Sequence, residues 1–133
     1  MRITNARVID LDNDQASEPV SITVADGAIV SVEPDAAAAG DGDVDAGGGY
    51  VLPGLVNSHD HLSLKGRLLD PAGEQYYDVY RAPAERQLLQ SARSLLVSLS
   101  RGITTVRDAG AAWMVNVATR DAVRDGVLPG PRV

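Results

Sequence analysis

The apolar pattern of the chain changes at Pro53-Gly54, and the order of patterns after that point restricts the fold more than any other feature. Residues 55–59 are a short apolar run typical of a strand, and a helix is predicted to begin near Pro83. Residues 103–106 are β-branched throughout, which suits a strand packed on both faces, and a second helix is predicted over about 112–125. The first helix carries one apolar stripe at helical spacing: Leu88, Leu89, Ala92, Leu95, Leu96 and Leu99. The order strand, helix, strand, helix predicts a βαβα unit with parallel strands and a right-handed crossover.

The first fifty residues instead have the pattern of short strands joined by turns. Apolar and polar residues alternate approximately over 3–11 and 20–24, and a further β-patterned run follows at 28–32. Asp26-Gly27 separates the last two runs, and this dipeptide is the strongest short-range signal of a hairpin. Residues 34–49 are rich in Ala, Gly and Asp, so we expect a solvated loop that leads into a short strand at 50–52.

Composition and charge exclude several classes of protein. The chain has no cysteine, so it can hold no disulfide, thiolate metal site or cysteine nucleophile, and any metal must bind nitrogen or oxygen. A net charge of −6, with no basic stripe, argues against nucleic acid and anionic membranes as partners. Neither a secretory signal nor an apolar run long enough for a membrane helix is evident, so we expect a cytoplasmic protein.

The two histidines of the chain, His59 and His61, flank Asp60 at the end of the first predicted βα strand. Residues i and i+2 of a strand point to the same side, so this pattern presents two imidazoles together, as metal ligands require. The end of a strand is also where α/β folds place their sites. If the strand continues through this segment, the Asp60 side chain lies on the opposite face from the two histidines. The alternative is a pair of surface histidines in a loop.

Asp108 ends the second predicted strand, in the same position relative to its strand as the histidines. We interpret it as a possible pocket residue near the same edge of the sheet. Two alternatives give Asp108 a purely structural role: it caps a turn, or it pairs with Arg107.

Other motifs carry less information. Two Asp-x-Asp-x-Asp runs, which begin at Asp10 and Asp41, lack the glycine and glutamate that a calcium loop needs. The glycines at 47–49 precede a strand, which excludes a phosphate cradle at a helix start. Three of the four tyrosines cluster at 76, 77 and 80, where they could line a pocket but more often serve packing.

Four segments, in this order, resemble the N-terminal part of the metal-dependent amidohydrolases, most closely the imidazolonepropionase and Xaa-Pro dipeptidase-like branch. The segments are DGAIVSV at 26–32, DAGGGYVLPGLVNSHDH at 45–61, GITTVRDAG at 102–110 and GPRV at 130–133. The resemblance implies an α/β fold in which residues 1–54 form N-terminal strands of a small, composite β-sandwich. Residues 55–133 would then form the first two βα units of an incomplete TIM (β/α)₈ barrel.

The resemblance also implies a site and a chemistry. His59 and His61 match the His-x-His ligands that end the first barrel strand of the family. There they join histidines, an Asp and often a carboxylated lysine from later strands to hold one or two divalent ions, here expected to be Zn²⁺. The ions generate a hydroxide that attacks an amide or related carbon. The implied activity is hydrolysis of C–N bonds in a small molecule or dipeptide. Asp108 matches a motif position to which no role is assigned.

The chain carries only part of such an enzyme. A complete barrel takes about 250 residues, the only lysine is Lys65 in the loop after the first strand, and there is no third histidine. A catalytic zinc site needs at least three protein ligands, so we expect no activity from this chain alone. The second barrel strand is also expected to have an unpaired outer edge.

Three hypotheses follow. The first is an amidohydrolase fragment or subunit that a complementing C-terminal chain completes, because the sequence stops at 130–133, where a third strand should begin. The second is a truncated, non-catalytic remnant that acts as a homo-oligomeric binding or interaction module. The third is a symmetric dimer in which two copies of His59 and His61 supply four nitrogen ligands.

Overall fold

The structure, a computed structural model, describes residues 1–35, 38–64 and 81–133. The chain divides into two units, Met1–Pro53 and Gly54–Val133. Lys65 and the predicted tyrosine cluster at 76, 77 and 80 lie outside the described residues. Within the described ranges, no helix has the length and apolar character needed to cross a membrane.

The first unit is a six-stranded sheet in which β1 is the central strand. It pairs antiparallel with β2 and β3 and parallel with β5 and β6, and β4 pairs antiparallel with β3. The strands are β1 Arg2–Asp10, β2 Gln15–Ala16, β3 Val20–Ala25, β4 Ala28–Pro34, β5 Val44–Asp45 and β6 Tyr50–Val51.

The predicted hairpin is confirmed at β3 and β4. Asp26 and Gly27 join the two strands with φ of 51° and 75°, and two consecutive positive φ values are what a type I′ turn requires. Ala25 pairs with Ala28 across this turn. The turn therefore sets the pairing of Val24 with Ile29, and a one-residue shift between Thr23 and Val24 then brings Ile22 opposite Val32.

The prediction of a solvated loop over 34–49 is wrong at β5. Val44 and Asp45 pair with Ile3 and Thr4, and the Ala46 amide donates to the Thr4 carbonyl at 2.9 Å. A strand of two residues is too short to show alternation, so only the free edge of β1 determines that this segment is extended.

Within the residues that the structure describes, the second unit has the predicted order of strand, helix, strand, helix. Its elements are β7 Leu55–Asp60, α1 Ala84–Ser100, β8 Ile103–Asp108, a 3₁₀ turn Ala112–Met114 and α2 Val115–Arg124. The two strands are parallel, as predicted. Gly102, with φ of 77°, follows the end of α1, and its amide donates to the Leu99 carbonyl at 3.0 Å.

A small apolar core holds this unit together. It joins one residue from the segment after β7, one from α1 and one from β8, namely Leu62, Leu95 and Val106, all at most 2% exposed. Partly buried apolar side chains surround them: Ile103, Val123, Leu128 and Val133. The core therefore fixes the chain directly after His61 against both the helix and the second strand.

The apolar stripe of α1 is not its buried face, which corrects the expectation from the sequence. The helix buries Gln87, Ser91, Leu95 and Ser98, whereas Leu89 and Leu96 are 73% and 53% exposed. At about 100° per residue, the leucine stripe lies roughly a quarter turn away from the buried face. Leu95 is the one residue that belongs to both the leucine stripe and the buried face of α1. Most of the leucine stripe is therefore not packed against the sheet.

Both strands of the second unit are also less buried than their composition suggests. Leu55 and Val56 of β7 are 54% and 66% exposed, and within β8 only Val106 is fully buried. A parallel strand is covered on both faces only when helices or strands surround it. In the described part of the chain, β7 has one paired neighbour, so its other edge is open.

The expectation that the outer edge of β8 is unpaired is wrong at its centre. Arg132 pairs in parallel with Thr105 on that edge. The Arg132 amide donates to the Thr104 carbonyl at 2.9 Å, and the Val106 amide donates to the Arg132 carbonyl at 2.8 Å. The segment 131–133 thus lies where a third parallel strand would begin.

Candidate metal-binding site at the strand ends

The carboxyl ends of β7 and β8 lie at the same edge of the sheet. Asp60 pairs directly with Asp108, so the segment His59–His61 ends level with Asp108. The sequence-predicted site residues therefore share one end of one sheet. Side chains from neighbouring strand ends can act together only in such an arrangement.

The rings of His59 and His61 converge. Residues two apart on an extended strand have Cα atoms about 6.6 Å apart, but the ring centroids are 5.3 Å apart, with planes inclined by 74°. The register is irregular here, since β7 takes three steps from Asn57 to Asp60 while β8 takes two from Val106 to Asp108. The extra residue is a bulge, which bends the strand and redirects its side chains.

His61 has a fixed partner on one ring nitrogen. Its Nδ1 atom lies 2.8 Å from the carbonyl oxygen of Gly110, in the segment after β8. A carbonyl only accepts hydrogen bonds, so Nδ1 carries the proton and donates it. The neutral ring then has its lone pair on Nε2, which is the atom left to bind a metal. His59 is exposed, and its ring makes no hydrogen bond with any residue that the structure describes.

Two neighbouring polar side chains hold the backbone of this segment. Asn57 accepts a hydrogen bond from the His59 amide at 3.2 Å and donates to Asp60 Oδ2 at 2.9 Å. Asp60 Oδ1 accepts from the His61 amide at 2.7 Å. The Asp60 carboxylate is thus engaged on both oxygens within its own segment, which leaves the histidines as the groups free to bind.

Asp108 caps a turn, as one alternative from the sequence proposed, and it does not pair with Arg107. Its Oδ1 accepts from the Gly110 amide at 3.1 Å, while Arg107 reaches the Ser58 carbonyl. The other oxygen, Oδ2, is buried and has no partner in the described residues. Burial raises the pKa of Asp108, although the Gly110 and Leu62 amides and the charge of His61 oppose the shift.

The donor set suits a divalent ion but does not enclose one. Two imidazole nitrogens at converging positions are typical zinc ligands. In the ranges 1–35, 38–64 and 81–133, however, no three His, Asp or Glu side chains come together as a metal site. Two imidazoles alone fall short of the three or more protein ligands that a zinc site uses.

Sequence reasoning missed Gly110 and Asn57. Gly110 acts through its backbone carbonyl, 49 residues along the chain from His61, and Asn57 acts through its side-chain amide within the same strand. Neither contact leaves a periodic pattern in a sequence. The one available signal was the glycine two residues after Asp108, because aspartate followed by glycine at this spacing is typical of a side-chain-capped turn.

Solved structures of similar fold extend over almost all of the chain. One is an Xaa-Pro dipeptidase with methionine bound in its active site, at 26% identity, a TM-score of 0.78 and 98% coverage of this chain. Another is a prolidase in complex with N-methylphosphonate-L-proline, at 27% identity, a TM-score of 0.75 and 98% coverage. A third, 5-methylcytosine deaminase from Klebsiella pneumoniae, shares the fold at 20% identity, a TM-score of 0.76 and 98% coverage.

The chain spans only about a third of each of these proteins: 31% of the dipeptidase, 30% of the prolidase and 35% of the deaminase. No protein-family model matches the chain, and no curated protein sequence does.

Proposed function

The chain corresponds to the N-terminal portion of the amidohydrolase superfamily, and we propose that it supplies two metal ligands, His59 and His61, to a hydrolase of C–N bonds. The observation that carries this proposal is the convergence of the two rings at the end of β7, with His61 Nδ1 already occupied by the Gly110 carbonyl. Both imidazoles are then presented as ligands from one strand end.

The architecture proposed for the whole assembly is a (β/α)₈ barrel beside a composite β-sandwich. Residues 1–54 are the sandwich strands and residues 55–133 are the first two βα units. The parallel pairing of β7 with β8 and the antiparallel sheet of the first unit support this assignment. The bridge between Thr105 and Arg132 supports a third parallel strand on the same edge.

Zn²⁺ is the ion that we propose for the two imidazoles, as one ion or as part of a two-ion site, because imidazole is a common zinc ligand. When bound, such an ion lowers the pKa of a coordinated water and polarises the substrate carbonyl. The residues of this chain contribute positioning. Gly110 holds the proton of His61 on Nδ1, and Asn57 and Asp60 hold the backbone on either side of His59. The remaining ligands come from polypeptide outside the described residues.

The substrate proposed is a small molecule or dipeptide. Two of the similar solved structures are an Xaa-Pro dipeptidase and a prolidase, which favours a dipeptide with proline on the leaving side as the first substrate to assay. The described residues contribute a metal-ligand pair rather than a closed pocket, so the choice of substrate depends on the polypeptide that completes the barrel. That polypeptide is proposed to be a complementing C-terminal chain.

Complementation tests this proposal. The chain is co-expressed with the part of the similar Xaa-Pro dipeptidase that it does not match, and the purified assembly is assayed for Zn²⁺-dependent hydrolysis of an Xaa-Pro dipeptide. We expect activity from the assembly and none from either part alone. The matched controls are His59→Ala and His61→Ala, which we expect to assemble equally well but to lose the activity.

Association without restored activity would contradict the catalytic proposal. It would favour the alternative of a non-catalytic, homo-oligomeric binding module, for which there is one supporting observation. The second unit exposes large apolar side chains on both a strand and a helix, including Val56 at 66% and Leu89 at 73%. Sedimentation of the chain alone distinguishes the catalytic proposal from the binding-module alternative, because only the binding module forms a stable oligomer without a complementing partner.

A further inference from the structure

We propose that Asp108 is a positioning residue that sets the tautomer and orientation of His61 through Gly110. The proposal rests on the role of His61 as a metal ligand, and it gives a function to a carboxylate that touches neither histidine by a hydrogen bond. The link has two steps: Asp108 Oδ1 accepts from the Gly110 amide at 3.1 Å, and the Gly110 carbonyl lies 2.8 Å from His61 Nδ1.

The first step closes a turn directly after β8. An aspartate that accepts the amide two residues ahead replaces a backbone hydrogen bond and holds the intervening peptide units in one orientation. Gly110 adopts φ of 149°, a conformation that L side chains rarely adopt. Nothing lies within 4 Å of the place where a side chain would start. Conformation rather than crowding therefore requires glycine here.

A second contact fixes the other side of the same turn. The Ala109 amide donates to the Asp60 carbonyl at 2.7 Å, which continues the pairing of β7 and β8 past the end of the strands. The turn is thus held by Asp108 from within and by Asp60 from across the sheet. Its carbonyl at Gly110 can point at His61 only while both contacts persist.

The burial of Asp108 argues for a role. Its Oδ2 is buried without a partner in the described residues, and burying a carboxylate oxygen in this way is unfavourable. If Asp108 served only to end β8, it could do so equally well with both carboxylate oxygens exposed to water.

The consequence concerns which nitrogen of His61 is free. While the Gly110 carbonyl is held in place, Nδ1 is protonated and Nε2 is the acceptor that can bind an ion. If the turn opens, the ring rotates and exchanges its proton between the two nitrogens. Outer contacts of this kind typically change metal affinity by about 10–100-fold.

The test is a ¹⁵N NMR measurement of the imidazole nitrogens in the metal-free 133-residue chain, at a pH at which both rings are neutral. We expect His61 in the wild type to be protonated on Nδ1. Asp108→Ala and Gly110→Ala should each convert it to a mixture of tautomers. Asp108→Asn should preserve the wild-type signal, because its amide oxygen still accepts from Gly110.

The chain offers a matched control in the first unit. Asp45 accepts from the Gly47 amide at 2.8 Å, and Gly47 has φ of 59°, so Asp45→Ala opens a similar turn remote in sequence from His61. That variant should leave the His61 signals unchanged. The amide shifts of Val106 and Arg132 report whether β8 stays folded. If Asp108→Ala unfolds, the Gly110→Ala and Asp108→Asn variants still test whether Asp108 sets the tautomer of His61.

A wild-type tautomer in folded Gly110→Ala, or loss of the signal in folded Asp108→Asn, overturns the proposal. A parallel Zn²⁺ titration of the same samples distinguishes failure of the positioning proposal from failure of the proposed metal-binding function. If the wild type has the fixed tautomer but neither the chain nor its complemented assembly binds Zn²⁺, the positioning proposal stands and the metal role fails. If Zn²⁺ binds equally well to wild type and Asp108→Ala with unchanged tautomers, the metal role stands and positioning fails.

Discussion

His59 and His61 stand edge to face, with ring centroids 5.3 Å apart at the end of a strand that pairs with one neighbour in the described structure. This pair is the only imidazole pair that the chain can form, since it has two histidines in all. The stability and assembly of the scaffold that holds the pair can be tested residue by residue.

Leu95→Ala is expected to destabilise the second unit strongly. Leu95 is fully buried against Leu62 and Val106, and deleting a buried leucine side chain typically costs about 2–5 kcal/mol. The matched control is Leu96→Ala on the same helix. Leu96 is 53% exposed, so we expect a change within about 0.5 kcal/mol. Urea unfolding, followed by helix content, measures both, and equal losses would contradict the burial that the structure assigns to α1.

Gly27→Ala is expected to weaken the first unit by about 1–2 kcal/mol, because Gly27 has φ of 75° in the tight turn between β3 and β4. Gly40→Ala is the control. Gly40 lies outside the positive-φ set, and its added carbon would meet only an ordinary contact with Asp43 at 3.5 Å. Thermal unfolding should separate the two variants. A loss at Gly40 equal to the loss at Gly27 would argue against a turn with positive φ.

Asp43 is expected to make the first unit sensitive to acid. The Gly40 amide, with smaller contributions from the Arg2 amide and guanidinium, lowers the pKa of Asp43 below its ordinary value of 3.8. The ionised form is favoured in the folded chain. Its stabilisation is therefore present above the unfolded pKa and is lost as pH falls through the lower, folded pKa. Asp43 and its partner Arg2 are both partly exposed, so solvent screens their interaction and the effect should be small.

Asp43→Asn removes this contribution. The difference in free energy of unfolding between wild type and variant should therefore shrink as pH falls below about 4, measured by urea unfolding with circular dichroism over a pH series. A difference that stays constant or widens over that range would mean that the carboxylate is not favoured in its ionised form by folding.

Val56→Lys is expected to oppose any self-association of the isolated chain through the open edge of β7. Val56 is 66% exposed on β7, whose second edge is open in the described structure, and a charged side chain on such an edge opposes pairing with another copy. The control is Val127→Lys, at a position 74% exposed but outside any strand. Sedimentation velocity measures both. If the two variants associate equally, the open edge of β7 is not the surface responsible.

Much of the local structure follows from residues whose conformational preferences are strong. Asp26-Gly27 has few alternatives to a tight hairpin turn, and Gly102 ends α1 because it adopts φ of 77° without strain. The pairing of His59 with His61 also follows from the sequence, since alternate residues at a strand end lie close together. These features depend on neighbours in the chain and hence can be predicted from it.

Features that depend on distant segments could not be predicted. Which face of α1 is buried depends on what packs beside it, so Ser91 and Ser98 are buried while Leu89 is exposed. The partner of His61 is a backbone carbonyl 49 residues away, and any residue could supply that group chemically. Only the φ of 149° makes Gly110 distinctive, and that angle is a property of the folded turn.

The most direct test of the account is a calorimetric Zn²⁺ titration of the chain beside its His59→Ala, His61→Ala and doubly substituted variants, with Asp41→Asn as a carboxylate control in the other unit. We expect wild type and Asp41→Asn to bind the ion at the same site. Each single histidine substitution should weaken binding and the double substitution should abolish it. Unchanged affinity and stoichiometry in the double variant would contradict the claim that His59 and His61 are metal ligands.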